Sequence, residues 1–188
     1  MARLGWLILL ATAPAVIAGL LFHDVVEAAF DNTTAVLFFL LFTGALLAGG
    51  ECFGRPQRTL DRLSGVDAIA VGAAQALALL PGISRSGSTI SAGLWRGLQS
   101  AEAARLSFLM SIPVMIGAGL VGLKDLTDLS PDPELLLPVA IGFLTAAVVG
   151  YLTIRWLLAY LAGHRLTVFA AYCFIVGILG LGLTWASG

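Results

Sequence analysis

The string Pro81-Gly-Ile-Ser-Arg-Ser-Gly-Ser-Thr89 gathers the groups in this sequence best suited to holding a phosphate. Arg85 supplies a planar guanidinium fork that matches phosphate oxygens in pairs. Ser84, Ser86, Ser88 and Thr89 add hydroxyl donors, while Gly82 and Gly87 lack the Cβ that would keep a ligand away from backbone N–H groups. A helix starting inside the string would add the positive end of its dipole. The expected site is therefore a phosphate cradle of Gly82, Ser84, Arg85, Ser86 and Gly87. Without the arginine, a Pro-Gly break beside serines reads as ordinary helix packing. Arg85 reverses that reading, because an arginine at membrane depth is expensive unless it meets an anion or water. Gln75 lies on the same broad side of its helix as Leu79 and Gly82; it either reaches the site or bonds to a neighbouring helix.

Other polar groups carry weaker signals. His23, Asp24 and Glu27 read as a solvated outer loop with charges at a helix end. His164 beside Arg165 reads as a charged loop on the opposite face. Cys52 and Cys173 are far apart, with no metal-ligand spacing, and are expected as free thiols. The sequence contains no other cluster of metal-ligand type.

The elements that position the cradle follow from composition. With 59% hydrophobic and 11% charged residues, the solvent for this chain is lipid. The 10 basic and 11 acidic residues, net charge −1, lie almost entirely between apolar runs, so net charge says nothing about nucleic acid, and no nucleic-acid partner is expected. Apolar stretches at 4–22, 32–50, 106–123, 135–154 and 167–185 each approach the roughly 20 residues that cross a bilayer as a helix. Pro14, Pro113 and Pro138 fall inside them, as membrane helices tolerate. Ala11-Thr-Ala-Pro-Ala15 could belong to a cleaved leader, but the spans that follow favour a membrane segment. Trp6, Trp156 and Trp185 near predicted helix ends fit interfacial anchors.

Ala68–Leu80 is too short to span and ends at Pro81-Gly82, with a second short apolar run from Thr89 to Leu94. This is the pattern of a re-entrant hairpin over 66–98, whose polar turn must be covered by protein or line a wet cavity. Ser64 with Asp67 three residues on marks its start. The expected architecture is one all-α, polytopic membrane domain over 1–188, with five spans and one hairpin.

Eight arginines, Arg3, Arg55, Arg58, Arg62, Arg96, Arg105, Arg155 and Arg165, share one side if the hairpin returns to the side it left. The opposite loops carry Lys124 as their one basic residue, with His23, Asp24, Glu27, Asp31, Asp125, Asp128, Asp132 and Glu134. Basic loops stay inside, so the N-terminus is expected in the cytoplasm and the C-terminus outside. Two spans before the hairpin and three after it would be the remnant of an inverted repeat of hairpin plus three helices.

The stretch Gln75-Ala-Leu-Ala-Leu-Leu-Pro-Gly-Ile-Ser-Arg-Ser-Gly-Ser-Thr-Ile90 resembles the second signature of the bacterial undecaprenyl-diphosphatase family, the bacitracin-resistance type of undecaprenyl pyrophosphate phosphatase. Ala11-Thr-Ala-Pro-Ala15, Thr43-Gly44, Phe108-Leu-Met-Ser-Ile-Pro113 and the Gly150-Tyr151 region extend the resemblance over essentially the whole chain. It implies removal of the terminal phosphate of undecaprenyl diphosphate, which regenerates the lipid carrier of peptidoglycan synthesis. It also implies a bacterial inner-membrane location, a divalent cation such as Mg²⁺ or Ca²⁺, two re-entrant hairpins and a site open to the periplasm. Ser84, Arg85 and Thr89 match positions important for activity in that family, with Arg85 as diphosphate ligand. A homodimer is compatible with this reading.

The chain departs from the family in one respect. Members begin with a first hairpin carrying two glutamates four residues apart and a Ser-Ser-Ser-Gly-His-like turn, tied to metal binding and to the nucleophile or general base. No Glu-x-x-x-Glu occurs here, and both histidines sit in charged loops. The metal ligands are thus expected to be absent from this chain. The expectation is a truncated or degenerate member that keeps the phosphate half of the site and lacks the catalytic half. Hydrolysis needs an activated nucleophile and charge neutralisation at phosphorus, and Arg85 supplies part of the latter. A polyprenyl-phosphate translocase, built on broken helices around a basic midplane site, and a non-catalytic membrane homologue are the competing readings.

Overall fold

The computed structural model describes residues 2–30, 32–54, 57–128 and 133–187. Arg55, Asp31 and Asp132, counted above for orientation, lie outside them. The described chain is all-α. Long helices α1 (Ala2–Leu21), α3 (Thr33–Phe53), α6 (Ser100–Asp128), α7 (Pro133–Leu161) and α8 (Thr167–Ser187) alternate with short α2 (His23–Phe30), α4 (Gly65–Leu77) and α5 (Arg85–Trp95). The five long helices are each long and apolar enough to cross a membrane, which makes this a multi-pass membrane protein. Where the sequence pattern reads a loop at His23–Glu27, the backbone forms helix α2, whose first turn contains Asp24, a favourable place for a carboxylate.

α4 and α5 form the two arms of a helical hairpin that packs against α1, α3 and α6. α4 begins with a capping box: Ser64 Oγ accepts from the Asp67 N–H, and the Asp67 carboxylate accepts from the Ser64 N–H at 3.0 Å. α4 approaches α1 closely because Gly72 lies on the backbone of Ala11, where a Cβ would collide. α3 and α8 pack together through Gly44, Gly177 and Gly180, which sit against Cys173, Leu41 and Leu37 respectively. Close approach over small residues is the usual packing device where lipid removes the hydrophobic drive between helices. α7 instead touches little beyond α6, and Gly142 and Gly150 have nothing near them.

The base of the hairpin is closed by the segment after α3. Gly97, at φ +83°, ends α5, and its carbonyl accepts from the N–H groups of Gln57 and Arg58. The Gln99 N–H in turn donates to the Arg58 carbonyl at 3.0 Å.

Candidate phosphate cradle and its support

Ser84 is the N-cap of α5. Its hydroxyl accepts from the Gly87 N–H at 3.1 Å, and its carbonyl accepts from the Ser88 N–H at 2.9 Å. Arg85 and Ser86 lie in the first turn of α5, where backbone N–H groups have no intrahelical acceptor and the helix dipole is positive. Gly87 fits closely under this cap: a Cβ there would lie 3.1 Å from Ser84 Cβ and 3.3 Å from Thr43 Cγ2.

The turn before α5 bends at Gly82, φ +89°, a left-handed conformation that glycine adopts without strain. A side chain there would also strike the Val36 carbonyl of α3. Thr43, fully buried on α3, ties this turn down: its hydroxyl lies 3.1 Å from the Gly82 carbonyl and accepts from the Ser84 N–H at 3.0 Å. One side chain therefore sets the start of α5 relative to α3.

Ser84, Arg85 and Ser86 come together at the helix start, half-buried, with Ser84 Oγ and Ser86 Oγ 3.4 Å apart. The Arg85 guanidinium has no hydrogen bond or ion pair among the described residues. Arg58 and Arg96, by contrast, both bind Asp67. Thr89 lies elsewhere, on the α6 side of α5. Its buried hydroxyl bonds to Ser107 Oγ at 2.7 Å and reaches back to the Arg85 carbonyl at 2.9 Å. Gln75 is buried within α4, and neither atom of its amide has a protein partner; the hydroxyls of Ser88 and Ser91 are likewise buried and unpartnered.

A cleft of about 290 Å³ opens at Ser84, Ser86 and Gly87 and runs between α3, α5 and the start of α8. Far from it, at the base of the hairpin, Asp67 is fully buried and accepts from Arg58 Nη2 at 2.7 Å, Arg96 Nε at 2.6 Å and Ser64 Oγ at 2.8 Å. Burial pushes the Asp67 carboxyl up, but these hydrogen bonds together outweigh it and hold it well below the usual carboxylate range. Sequence reasoning assigned Arg58 and Arg96 to orientation alone and gave Thr43 no role. A lone hydroxyl in an apolar span was the available signal for Thr43.

A sequence profile described as bacitracin resistance protein BacA matches residues 1–179. The chain belongs to the BacA family. Among relatives of that family type, a protein of Methanosphaera stadtmanae named undecaprenyl-diphosphatase is 44% identical over 97% of this chain and 65% of its own length. One of Rubrobacter xylanophilus with the same name is 44% identical over 94% of this chain, again 65% of its own length. One of Methanothermobacter thermautotrophicus, also so named, is 45% identical over 92% of this chain and 96% of its own length. The chain thus spans about two thirds of the first two relatives and nearly all of the third. Among the described residues no three His, Cys, Asp or Glu side chains gather into a group that could hold a metal ion. The divalent cation that the family resemblance implies finds no ready-made set of ligands among the described residues.

Proposed function

We propose that this BacA-family chain serves undecaprenyl-diphosphate hydrolysis, releasing the terminal phosphate and leaving undecaprenyl phosphate for reuse as a cell-wall carrier. The observation that carries the reading is Arg85. It is half-buried at the start of α5, with its guanidinium unmatched by any described acceptor and the positive end of the helix dipole beside it. Such a site calls for an anion with several oxygens, and the family's relatives bear the name of a lipid diphosphatase. In the reaction the phosphoanhydride P–O bond breaks, the lipid phosphate leaves, and an oxygen from water ends on the released phosphate. Arg85 and the α5 N-terminus neutralise charge on the phosphoryl oxygens, and the Ser84 and Ser86 hydroxyls orient them.

The bias of basic residues favours an inner-membrane protein with the N-terminus in the cytoplasm and the C-terminus outside, the hairpin entering from the cytoplasmic face. Phosphate release from undecaprenyl diphosphate by the 188-residue chain in detergent, with Mg²⁺ or Ca²⁺, tests the function. Release that Arg85→Ala lowers by about a hundredfold or more supports it. Arg85→Lys keeps the charge without the fork and is expected to remain well below the parent. Release indifferent to both substitutions overturns Arg85 as the phosphate ligand.

A further inference from the structure

The cleft that opens at the cradle is polar only at that end. Away from Ser84, Ser86 and Gly87 its walls are chiefly Leu40, Leu47 and Ile90 on one side and Phe169, Tyr172 and Cys173 of α8 on the other. We propose that this cleft holds the phosphate-proximal prenyl units of the lipid, with Phe169, Tyr172 and Cys173 as the wall that recognises the branched tail. The inference rests on the lipid-diphosphate reading of the cradle and adds the tail site to it.

Three observations carry it. An amphiphile whose head lies on Ser84–Gly87 necessarily places its first carbons beside that end of the cleft, and apolar walls favour hydrocarbon there over water. The volume, about 290 Å³, sits at the lower end of the ~300–1,000 Å³ of pockets that enclose a whole drug-sized ligand, so it suits the first units of a long tail and leaves the rest to the bilayer. The facing walls are fixed, since Gly44 of α3 packs directly on Cys173 and Phe174 of α8. A second apolar groove, between α1 and α6 and lined by Trp6, Leu9, Leu109 and Ile116, shares no residue with the cradle. The cleft between α3, α5 and α8, by contrast, is lined at one end by Ser84, Ser86 and Gly87.

The test is photolabelling of the full 188-residue chain in detergent with a prenyl diphosphate that carries a diazirine on its first isoprenoid unit. Adducts are expected within 166–173, competed by unlabelled undecaprenyl diphosphate and lost in Arg85→Ala. Adducts on Trp6, Leu9 or Leu109, or adducts that are not competed, overturn the tail site. Tyr172 is 62% exposed, so Tyr172→Ala removes little packing within the chain. It is expected to raise Kd for the lipid diphosphate by about fivefold while leaving inorganic diphosphate binding within about twofold. If inorganic diphosphate binds through Arg85 and Tyr172→Ala changes neither ligand, the tail wall is wrong and the head reading stands. If neither ligand depends on Arg85, the function itself is wrong and the tail site falls with it.

Discussion

Thr43 and Ser84, forty-one residues apart in sequence, meet through a 3.0 Å bond from the Ser84 N–H to the Thr43 hydroxyl. The same hydroxyl lies 3.1 Å from the Gly82 carbonyl, so both sides of Ile83 are held from α3. The phosphate end of α5 is thus placed by a spanning helix and not by its own turn. Thr43→Val keeps the volume and leaves the half-buried Ser84 N–H without its acceptor. It should lower stability by about 1–3 kcal/mol and lower phosphate release more than tenfold, whereas Thr43→Ser should restore most of both. Thermal unfolding in detergent with the release assay checks this; equal activity in Thr43→Val and Thr43→Ser would refute it.

Asp67 predicts an acid limit to the hairpin. Its folded pKa lies below the unfolded value of about 3.9. The stability it contributes is therefore fully present above that value and is lost as pH falls from there toward the folded pKa. The melting temperature should fall progressively as pH drops below about 4, and Asp67→Asn should flatten that fall. At pH 7 the same substitution should cost about 1–3 kcal/mol, short of the value for a sealed pair because the side chains of Arg58 and Arg96 are 32% and 41% exposed.

Gly82 combines φ +89° with contact on the Val36 carbonyl, so Gly82→Ala meets backbone strain and a collision at once. A loss of at least about 1–3 kcal/mol is expected. Limited proteolysis should show the hairpin opening before the five long helices separate. A melting temperature equal to the parent's would mean that the turn is free to move away from α3.

Thr89 and Ser107 share a 2.7 Å bond between α5 and α6, sealed from solvent. A double-mutant cycle with Thr89→Val and Ser107→Ala should give a coupling of about 0.5–1.5 kcal/mol. Coupling near zero would place the support of α5 in its packing on Ala103, and not in this hydroxyl pair.

The spanning helices were legible because runs such as 135–154, between Glu134 and Arg155, are long, apolar and bounded by charge, and nothing but a membrane helix satisfies their backbone. The start of α4 was legible too, since Ser64 and Asp67 stand at capping-box spacing. Less legible was the start of α5: the apolar pattern resumes at Thr89, but the Ser84 cap pulls the helix back to Arg85. α6 and α7 run to 29 residues each because their polar ends stay helical beyond the apolar run. The ion cluster on Asp67 was invisible, because Arg58 and Arg96 lie 9 and 29 residues from it and only the fold brings them together. Within the cradle, the sequence names Ser84, Arg85 and Ser86 but does not reveal that Thr89 faces α6 and away from them.

The cover on α5 also constrains how the protein is made. Ser88, Thr89 and Ser91 are buried by neighbouring helices, and one of those neighbours, α6, follows them in the chain. A ribosome therefore delivers the hairpin before the helix that shields it. Hydroxyl-rich α5 has no stable place in lipid until Ala103 and Ser107 arrive. Membrane insertion must then depart from simple helix-by-helix order, with residues 65–95 settling against α3 as α6 enters. For this fold the hairpin reaches its depth only with α6, the helix that follows it in the chain.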